Sequence, residues 1–79
     1  MRILFFAQLK DATGCDYVEL PLVSPLNGDQ LWTILLDKFP GLANHRLNVR
    51  LAWNWEYAAP DTQFTDLDEV ALIPPVSGG

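Results

Sequence analysis

One segment of this sequence has the periodicity of an amphipathic helix, and strand-like segments flank it on both sides. Its apolar residues recur at i, i+3, i+4 and i+8, as Leu31, Ile34, Leu35 and Phe39. Asn27 followed three residues later by Gln30 resembles a capping box, and Pro40 ends the helix because proline disturbs the preceding turn. The helix is about three turns long. A single helix of this kind covers only one face of a sheet.

The segments before this helix are expected to form a β-hairpin. Residues 3–9 are apolar on both faces, which suits a buried strand. Residues 10–15 are polar and contain a glycine, which favours a turn, and residues 16–20 alternate between apolar and polar side chains.

Three strand-like segments follow the helix. Residues 47–53 alternate most clearly, and the pattern predicts an inward-facing set of Leu47, Val49, Leu51 and Trp53. Residues 56–57 form a short strand, and residues 69–73 form the last one. The resulting order, β-β-α-β-(β)-β, predicts an α+β fold of the β-grasp type, in which one principal helix covers one face of a mixed sheet.

The sheet face away from the helix is predicted to carry apolar side chains. By the period-two rule this open face holds Leu4, Phe6, Ala52, Ala71 and Ile73 together with Arg2, Gln8, Arg50 and Glu69. Apolar side chains on an uncovered face mark a protein contact, or they are overspill from a small core. Periodicity alone leaves both interpretations open.

Composition excludes several classes of function. A chain of 79 residues encloses one core. Five Lys and Arg against ten Asp and Glu give a formal charge of −5, which disfavours nucleic acid and anionic membranes as partners. Cys15 and His45, the single cysteine and the single histidine, fall short of a zinc ligand set, so no metal site is expected. The N-terminal apolar run is too short for a signal peptide, and we expect a cytoplasmic protein.

The last six residues are the most informative segment. They are Pro74, Pro75, Val76, Ser77, Gly78 and Gly79. The two prolines favour an extended chain, so we expect a domain of residues 1–73 followed by a flexible tail of residues 74–79. The two glycines lack a Cβ, which lets them enter a narrow channel and present an unhindered terminal carboxylate. Taken alone, a Gly-Gly end is also typical of a frayed terminus; after a β-grasp body it is more specific.

The sequence resembles the small sulfur-carrier subunits of molybdopterin synthase, the MoaD family of ubiquitin-like, ThiS-like proteins. The resemblance covers the whole chain and is most specific over residues 68–79, with residues 4–9 and 39–42 in support. It implies that the chain is not an enzyme on its own. It is a sulfur donor that binds no cofactor and no metal.

The resemblance also implies a reaction at Gly79. A ubiquitin-activating-like adenylyltransferase would adenylate its carboxylate with ATP and magnesium, and a persulfide donor would convert it to a thiocarboxylate. The tail, residues 74–79, would then enter the large catalytic subunit, of the MoaE family, in a heterotetramer. There the sulfur would pass to cyclic pyranopterin monophosphate to build the molybdopterin dithiolene.

The family's partner contacts match four positions of this chain. Phe6, Tyr57 and Ile73 match hydrophobic contacts, and Lys10 matches a basic one. Two residues depart from the family pattern. Leu67 stands where glycine is usual, so a tight turn there would be strained. Trp55 replaces a small or polar residue, and it would enlarge the partner contact or cover the edge of the sheet.

Two other functions stay open at this point. A related carrier could serve thiamine or another thiolated product, with the same Gly-Gly chemistry. A non-catalytic ubiquitin-like interaction module would use its surface and leave the tail chemically idle.

Overall fold

Five strands and two α-helices follow one another in the computed structural model, which describes residues 1–59 and 61–74. The elements are β1 (Arg2–Phe5), α1 (Gln8–Thr13), β2 (Tyr17–Glu19), α2 (Gly28–Lys38), two 3₁₀ helices (Pro40–Asn44 and Arg46–Asn48), β3 (Arg50–Trp53), β4 (Glu56–Tyr57) and β5 (Glu69–Ile73). The predicted tail therefore lies outside the described residues, except for Pro74. The boundary at residue 73 between domain and tail stays a prediction.

The five strands form one mixed sheet in the order β2-β1-β5-β3-β4. The central pair, β1 and β5, is parallel, and the other three pairs are antiparallel. A parallel pair needs a long crossover between its strands, and this crossover contains α2. The α+β, β-grasp prediction is confirmed.

Helix α2 begins and ends where the sequence pattern places its boundaries. The Asn27 side chain accepts a hydrogen bond from the Gln30 backbone N–H at 2.8 Å, and the Gln30 side chain accepts one from the Asn27 N–H at 2.9 Å. This capping box satisfies two backbone donors that the first turn leaves unpaired. Leu31 and Leu35 are fully buried, as is usual for apolar residues at i and i+4. Burial of each contributes about 1.5–3 kcal/mol to stability.

The main core lies between α2 and one face of the sheet. Its sheet side is formed by Ile3, Phe5, Val70 and Leu72, none of them more than 1% exposed. Phe5 also meets Phe39 edge to face, with ring centroids 5.4 Å apart. Trp32 is buried in this core as well, although the helical spacing did not select it.

The first predicted strand, residues 3–9, is too long. β1 ends at Phe5, and Gln8, which the alternation rule placed on the open face, begins helix α1 instead. The backbone turns at Ala7, which has a positive φ, and Leu9 is fully buried as a residue of α1. The polar segment that was expected to form a turn is mostly helical, and Gly14 ends it with a φ of 78°. The antiparallel pairing of β1 with β2 is confirmed.

The predicted inward orientation of Leu47 is wrong. Leu47 lies in the second 3₁₀ helix and is 97% exposed, because β3 begins only at Arg50. Backbone hydrogen bonds close this segment into turns, among them one of 2.9 Å from the Asn48 N–H to the His45 carbonyl. The Arg46 guanidinium adds contacts at 3.3 Å to an Asp29 carboxylate oxygen and at 5.8 Å to the Trp32 ring centroid. The other three residues of that set, Val49, Leu51 and Trp53, pack partly buried against the core as predicted.

Candidate functional site

The sheet face opposite α2 carries a continuous row of side chains across all five strands. The strand register places Tyr17 opposite Leu4, Leu4 opposite Ala71, Ala71 opposite Ala52 and Ala52 opposite Tyr57. Residues paired in this way lie on the same face of a sheet. Ala52 and Ala71 are only 7% and 3% exposed although they lie outside the helix-side core, so larger neighbours on the open face shield them. The open face is therefore apolar at its centre.

A groove forms on this face between the β3–β4 hairpin and the end of β5. Its volume is about 490 Å³, and its lining consists of Ala52, Trp55, Glu56, Tyr57 and Ile73. Both aromatic side chains are exposed, and Trp55 is 72% exposed. Exposed apolar surface that lines a concave feature is typical of a protein contact.

The hairpin that carries Trp55 has a tight two-residue turn. Trp53 pairs with Glu56, and the two residues between them, Asn54 and Trp55, have φ values of 49° and 72°. Positive φ at both central positions defines a type I′ turn, whose twist matches that of the strands. Asparagine tolerates this conformation, whereas it is strained for a bulky residue such as tryptophan.

Hydrogen bonds tie this turn to the loop before β5. The Asn54 side chain donates to an Asp68 carboxylate oxygen at 3.2 Å and accepts from the Glu69 backbone N–H at 3.0 Å. Asp68 also accepts a hydrogen bond of 2.7 Å from the Thr65 N–H. These hydrogen bonds connect the β3–β4 turn to the loop before β5 at one end of the groove.

Asp68 is kept ionised by the same contacts. Burial acts to raise its pKa, but hydrogen bonds from the Thr65 backbone N–H and the Asn54 side chain outweigh burial and hold the pKa below its ordinary value. The buried indole Nε1 of Trp53 has no hydrogen-bond partner within residues 1–59 and 61–74. We therefore ascribe the lowered pKa mainly to Thr65 and Asn54, whose distances are those of formed hydrogen bonds.

The loop before β5 is not strained at Leu67, contrary to the expectation from the missing glycine. The non-glycine residues with positive φ, among those the structure describes, are Ala7, Asn54 and Trp55. Leu67 is exposed and lies in a turn closed by a hydrogen bond from the Asp68 N–H to the Thr65 carbonyl. The strain predicted for Leu67 is found instead at Trp55.

Three of the four predicted contact residues lie near one end of the open face. Tyr57 and Ile73 line the groove. Phe6 is exposed, and it directly follows Phe5, which pairs with Leu72, so it stands level with Ile73. Pro74 follows Ile73, so the chain leaves the sheet beside the groove.

Lys10, the fourth predicted contact residue, is engaged elsewhere. Its Nζ lies 3.0 Å from an Asp16 carboxylate oxygen, and it lines a separate depression beside α1 together with Cys15. Exposed pairs of this kind contribute about 0–1 kcal/mol, so Lys10 can exchange this partner for another at little cost.

Two arginines lie at the ends of the row and were not singled out by the sequence as site residues. The Arg2 guanidinium lies 5.0 Å from the Tyr17 ring centroid, and that of Arg50 lies 5.3 Å from the Tyr57 ring centroid. Glu19 raises the pKa of Arg2 through a 2.9 Å hydrogen bond. The open face is thus apolar at its centre with cations at both ends, although the chain as a whole is acidic.

Gly79 and the other tail residues from Pro75 onward lie outside the described residues. Within the described part of the chain, no three His, Cys, Asp or Glu side chains come together as metal ligands would. No helix in residues 1–59 and 61–74 combines the length and the apolar character that a membrane crossing requires.

Comparison with known proteins matches the whole chain to one family. The ThiS family model matches residues 3–79. A relative from Arabidopsis thaliana named molybdopterin synthase sulfur carrier subunit is 35% identical over 79 residues, which is 100% of this chain and 82% of that protein.

Solved structures share the fold. The crystal structure of SAMP1 from Haloferax volcanii superimposes with a TM-score of 0.83 at 26% identity and covers 99% of this chain and 97% of that one. A protein-protein complex of subunits 1 and 2 of molybdopterin-converting factor from Helicobacter pylori contains a similar chain, with a TM-score of 0.70, 24% identity, and 99% and 96% coverage. At 24% identity, the similarity to the Helicobacter pylori chain shows a shared fold and nothing more.

Proposed function

The chain belongs to the ThiS family, and from this membership we propose that it is the sulfur carrier subunit of a molybdopterin synthase. The observation that carries the proposal is the similarity along the full chain to a relative of that name, 35% identical over 79 residues. The family match extends to Gly79, and thus includes the Gly-Gly end on which carrier chemistry depends.

In the proposed reaction the chain supplies a terminal carboxylate and its partners supply the catalysis. An adenylyltransferase joins the Gly79 carboxylate to the α-phosphorus of ATP, with magnesium, and releases pyrophosphate. A persulfide sulfur then attacks the acyl carbon and AMP leaves. Cleavage of the sulfur–sulfur bond by a thiol reductant gives the thiocarboxylate, which donates its sulfur to cyclic pyranopterin monophosphate in the large, MoaE-like subunit.

The tail and the open face have separate roles in this proposal. Six residues in extended conformation span about 19 Å at 3.1 Å per residue, which is long enough to enter a buried active site. The open face docks on the partner through Phe6, Tyr57 and Ile73, and Lys10 pairs with a partner carboxylate. Since the tail leaves the sheet beside Ile73, docking and tail insertion occur on the same side of the molecule.

The same partners define the cellular setting that we propose. The adenylyltransferase and the persulfide donor need ATP and reducing conditions, both of which the cytoplasm supplies. In the proposed assembly, a heterotetramer with the large subunit, this chain is the non-catalytic sulfur donor.

The proposal is tested by the intact mass of the protein after incubation with ATP, magnesium, an activating enzyme and a persulfide donor. We expect one oxygen to be replaced by one sulfur, located on the C-terminal peptide. A variant with one residue added after Gly79 is the matched control, and it should show no exchange while the fold is kept. No exchange in the wild-type chain, with an enzyme proven active on another carrier, would contradict the carrier function and favour an interaction module.

The acceptor is tested in a second step. The loaded chain, the large subunit and cyclic pyranopterin monophosphate should together yield molybdopterin, with loss of sulfur from the carrier. A loaded chain that donates only to a thiamine-forming acceptor would assign the protein to the related carrier class instead.

A further inference from the structure

Trp55 occupies a position in the β3–β4 turn that ordinarily favours glycine. Its φ of 72° lies in the left-handed region, where an L-residue places its Cβ too close to the following carbonyl. A residue kept in such a conformation against its own preference points to a function at that site.

The free chain gains little from this side chain. Trp55 is 72% exposed, so burial of the indole does not offset the strain, and it covers little of the sheet edge. Trp55 does, however, line the groove, together with Tyr57, Ala52 and Ile73. The burial of Trp55 in the isolated domain is therefore too small to offset the backbone strain of the turn.

We propose that Trp55 is an additional partner-contacting residue of this chain, and that the groove receives an apolar side chain of the large subunit. This inference rests on the proposed function and extends its interface beyond Phe6, Tyr57 and Ile73. Tryptophan, tyrosine and arginine are enriched among the few interface residues that dominate binding energy, once the partner has covered them.

The large subunit is favoured as the occupant by the geometry of the chain's exit. Ile73 is both a wall residue of the groove and the last residue of β5, so a protein that takes up the tail covers the groove as well.

The test is the affinity of the full chain for purified large subunit, measured by calorimetry for the wild type and for Trp55→Gly. Glycine relieves the strain and removes the indole, so the variant should have a higher urea midpoint and yet bind with a Kd at least about ten-fold larger. A merely structural tryptophan would not move these two readouts in opposite directions. Trp55→Phe keeps an aromatic ring and should restore most of the affinity.

Leu47→Asn is the matched control. It removes another large exposed apolar side chain, but one outside the groove lining, and it should leave the Kd unchanged. A Kd for Trp55→Gly within two-fold of the wild type would overturn the proposal. So would a change confined to loading by the activating enzyme, or a loss of self-association in sedimentation with no change in large-subunit affinity, since these would assign the groove to another occupant.

The two proposals fail differently. Trp55→Gly with unchanged affinity but normal sulfur loading at Gly79 would overturn only the role of Trp55. A wild-type chain that is neither loaded nor bound by the large subunit would overturn the proposed function, and the role of Trp55 with it.

Discussion

Individual residues with unusual backbone geometry lie beside the residues proposed to contact a partner. Ala7 follows Phe6 directly, and Trp55 lies two residues before Tyr57. Ala7 has a φ of 51° and a ψ of −128°, a combination that glycine adopts readily and alanine does not. Its carbonyl accepts the hydrogen bond from Lys10 N–H that starts α1, so the unusual geometry is what turns the chain from strand to helix.

Ala7→Gly is expected to stabilise the protein. The substitution removes the steric cost of the Cβ at positive φ, and the gain should be about 1 kcal/mol after the added flexibility of the unfolded chain is counted. The measurement is the free energy of unfolding in urea. Ala43→Gly is the control: Ala43 is an exposed alanine in the first 3₁₀ helix without positive φ, and its replacement should destabilise slightly. Equal effects of the two variants would show that Ala7 is not strained.

At the scale of elements, the first 3₁₀ helix packs closely against α1. A Cβ built on Gly41 would lie 2.9 Å from the Ala12 carbonyl oxygen, a backbone atom that cannot swing away. This close approach gives a physical reason for the glycine after Phe39 and Pro40.

Gly41→Ala should therefore destabilise the fold by about 1–3 kcal/mol, because the two elements must separate to admit a methyl group. Gly28→Ala provides a matched control in the first turn of α2. There a Cβ would meet only the Leu51 Cδ1 atom at 3.8 Å, an ordinary contact, and alanine has the higher helix propensity. Urea unfolding of both variants decides the point: a Gly41→Ala protein as stable as Gly28→Ala would contradict it.

The elements with strong periodicity were predictable, and those with ambiguous patterns were not. The capping box and the spacing from Leu31 to Phe39 identified α2 within one or two residues of its ends. Residues 3–9 are apolar except for Gln8, so no clear period separates the strand from the helix that contains Leu9. At Leu47 the alternation is real, but the segment forms a 3₁₀ turn, and Arg46 beside it contacts Asp29 and Trp32 of α2. Such long-range contacts are invisible in a local pattern.

At the scale of the whole molecule, alternation located part of the candidate site and tertiary geometry located the rest. Ile73 and Phe6 were expected on the open face from the period of two, and Ile73 lines the groove. The β3–β4 turn was not predictable as type I′, because Asn54-Trp55 lacks the glycine that signals such a turn. The groove itself exists only because the sheet order places β5 beside β3.

The stability of the whole domain is expected to fall in acid through Asp66 and Asp68. The Leu22 backbone N–H, at 2.8 Å, and the Met1 amino group, at 3.4 Å, hold the pKa of Asp66 below its ordinary value. The pKa of Asp68 is lowered as described above. Asp66 is exposed and Asp68 is half-buried. Solvent screens both carboxylates, so each effect is modest.

The sign follows from the direction of these shifts. The unfolded chain takes up protons near its ordinary aspartate pKa of about 3.9, before the folded chain does. The stabilisation is thus fully present above about pH 5 and is lost as the pH falls through the lower folded pKa values. The measurement is the urea midpoint of the wild type and of Asp66→Asn/Asp68→Asn between pH 7 and pH 2. The double variant should be less stable at neutral pH and converge with the wild type in acid, whereas a difference that stays constant with pH would show that the ionised forms contribute nothing.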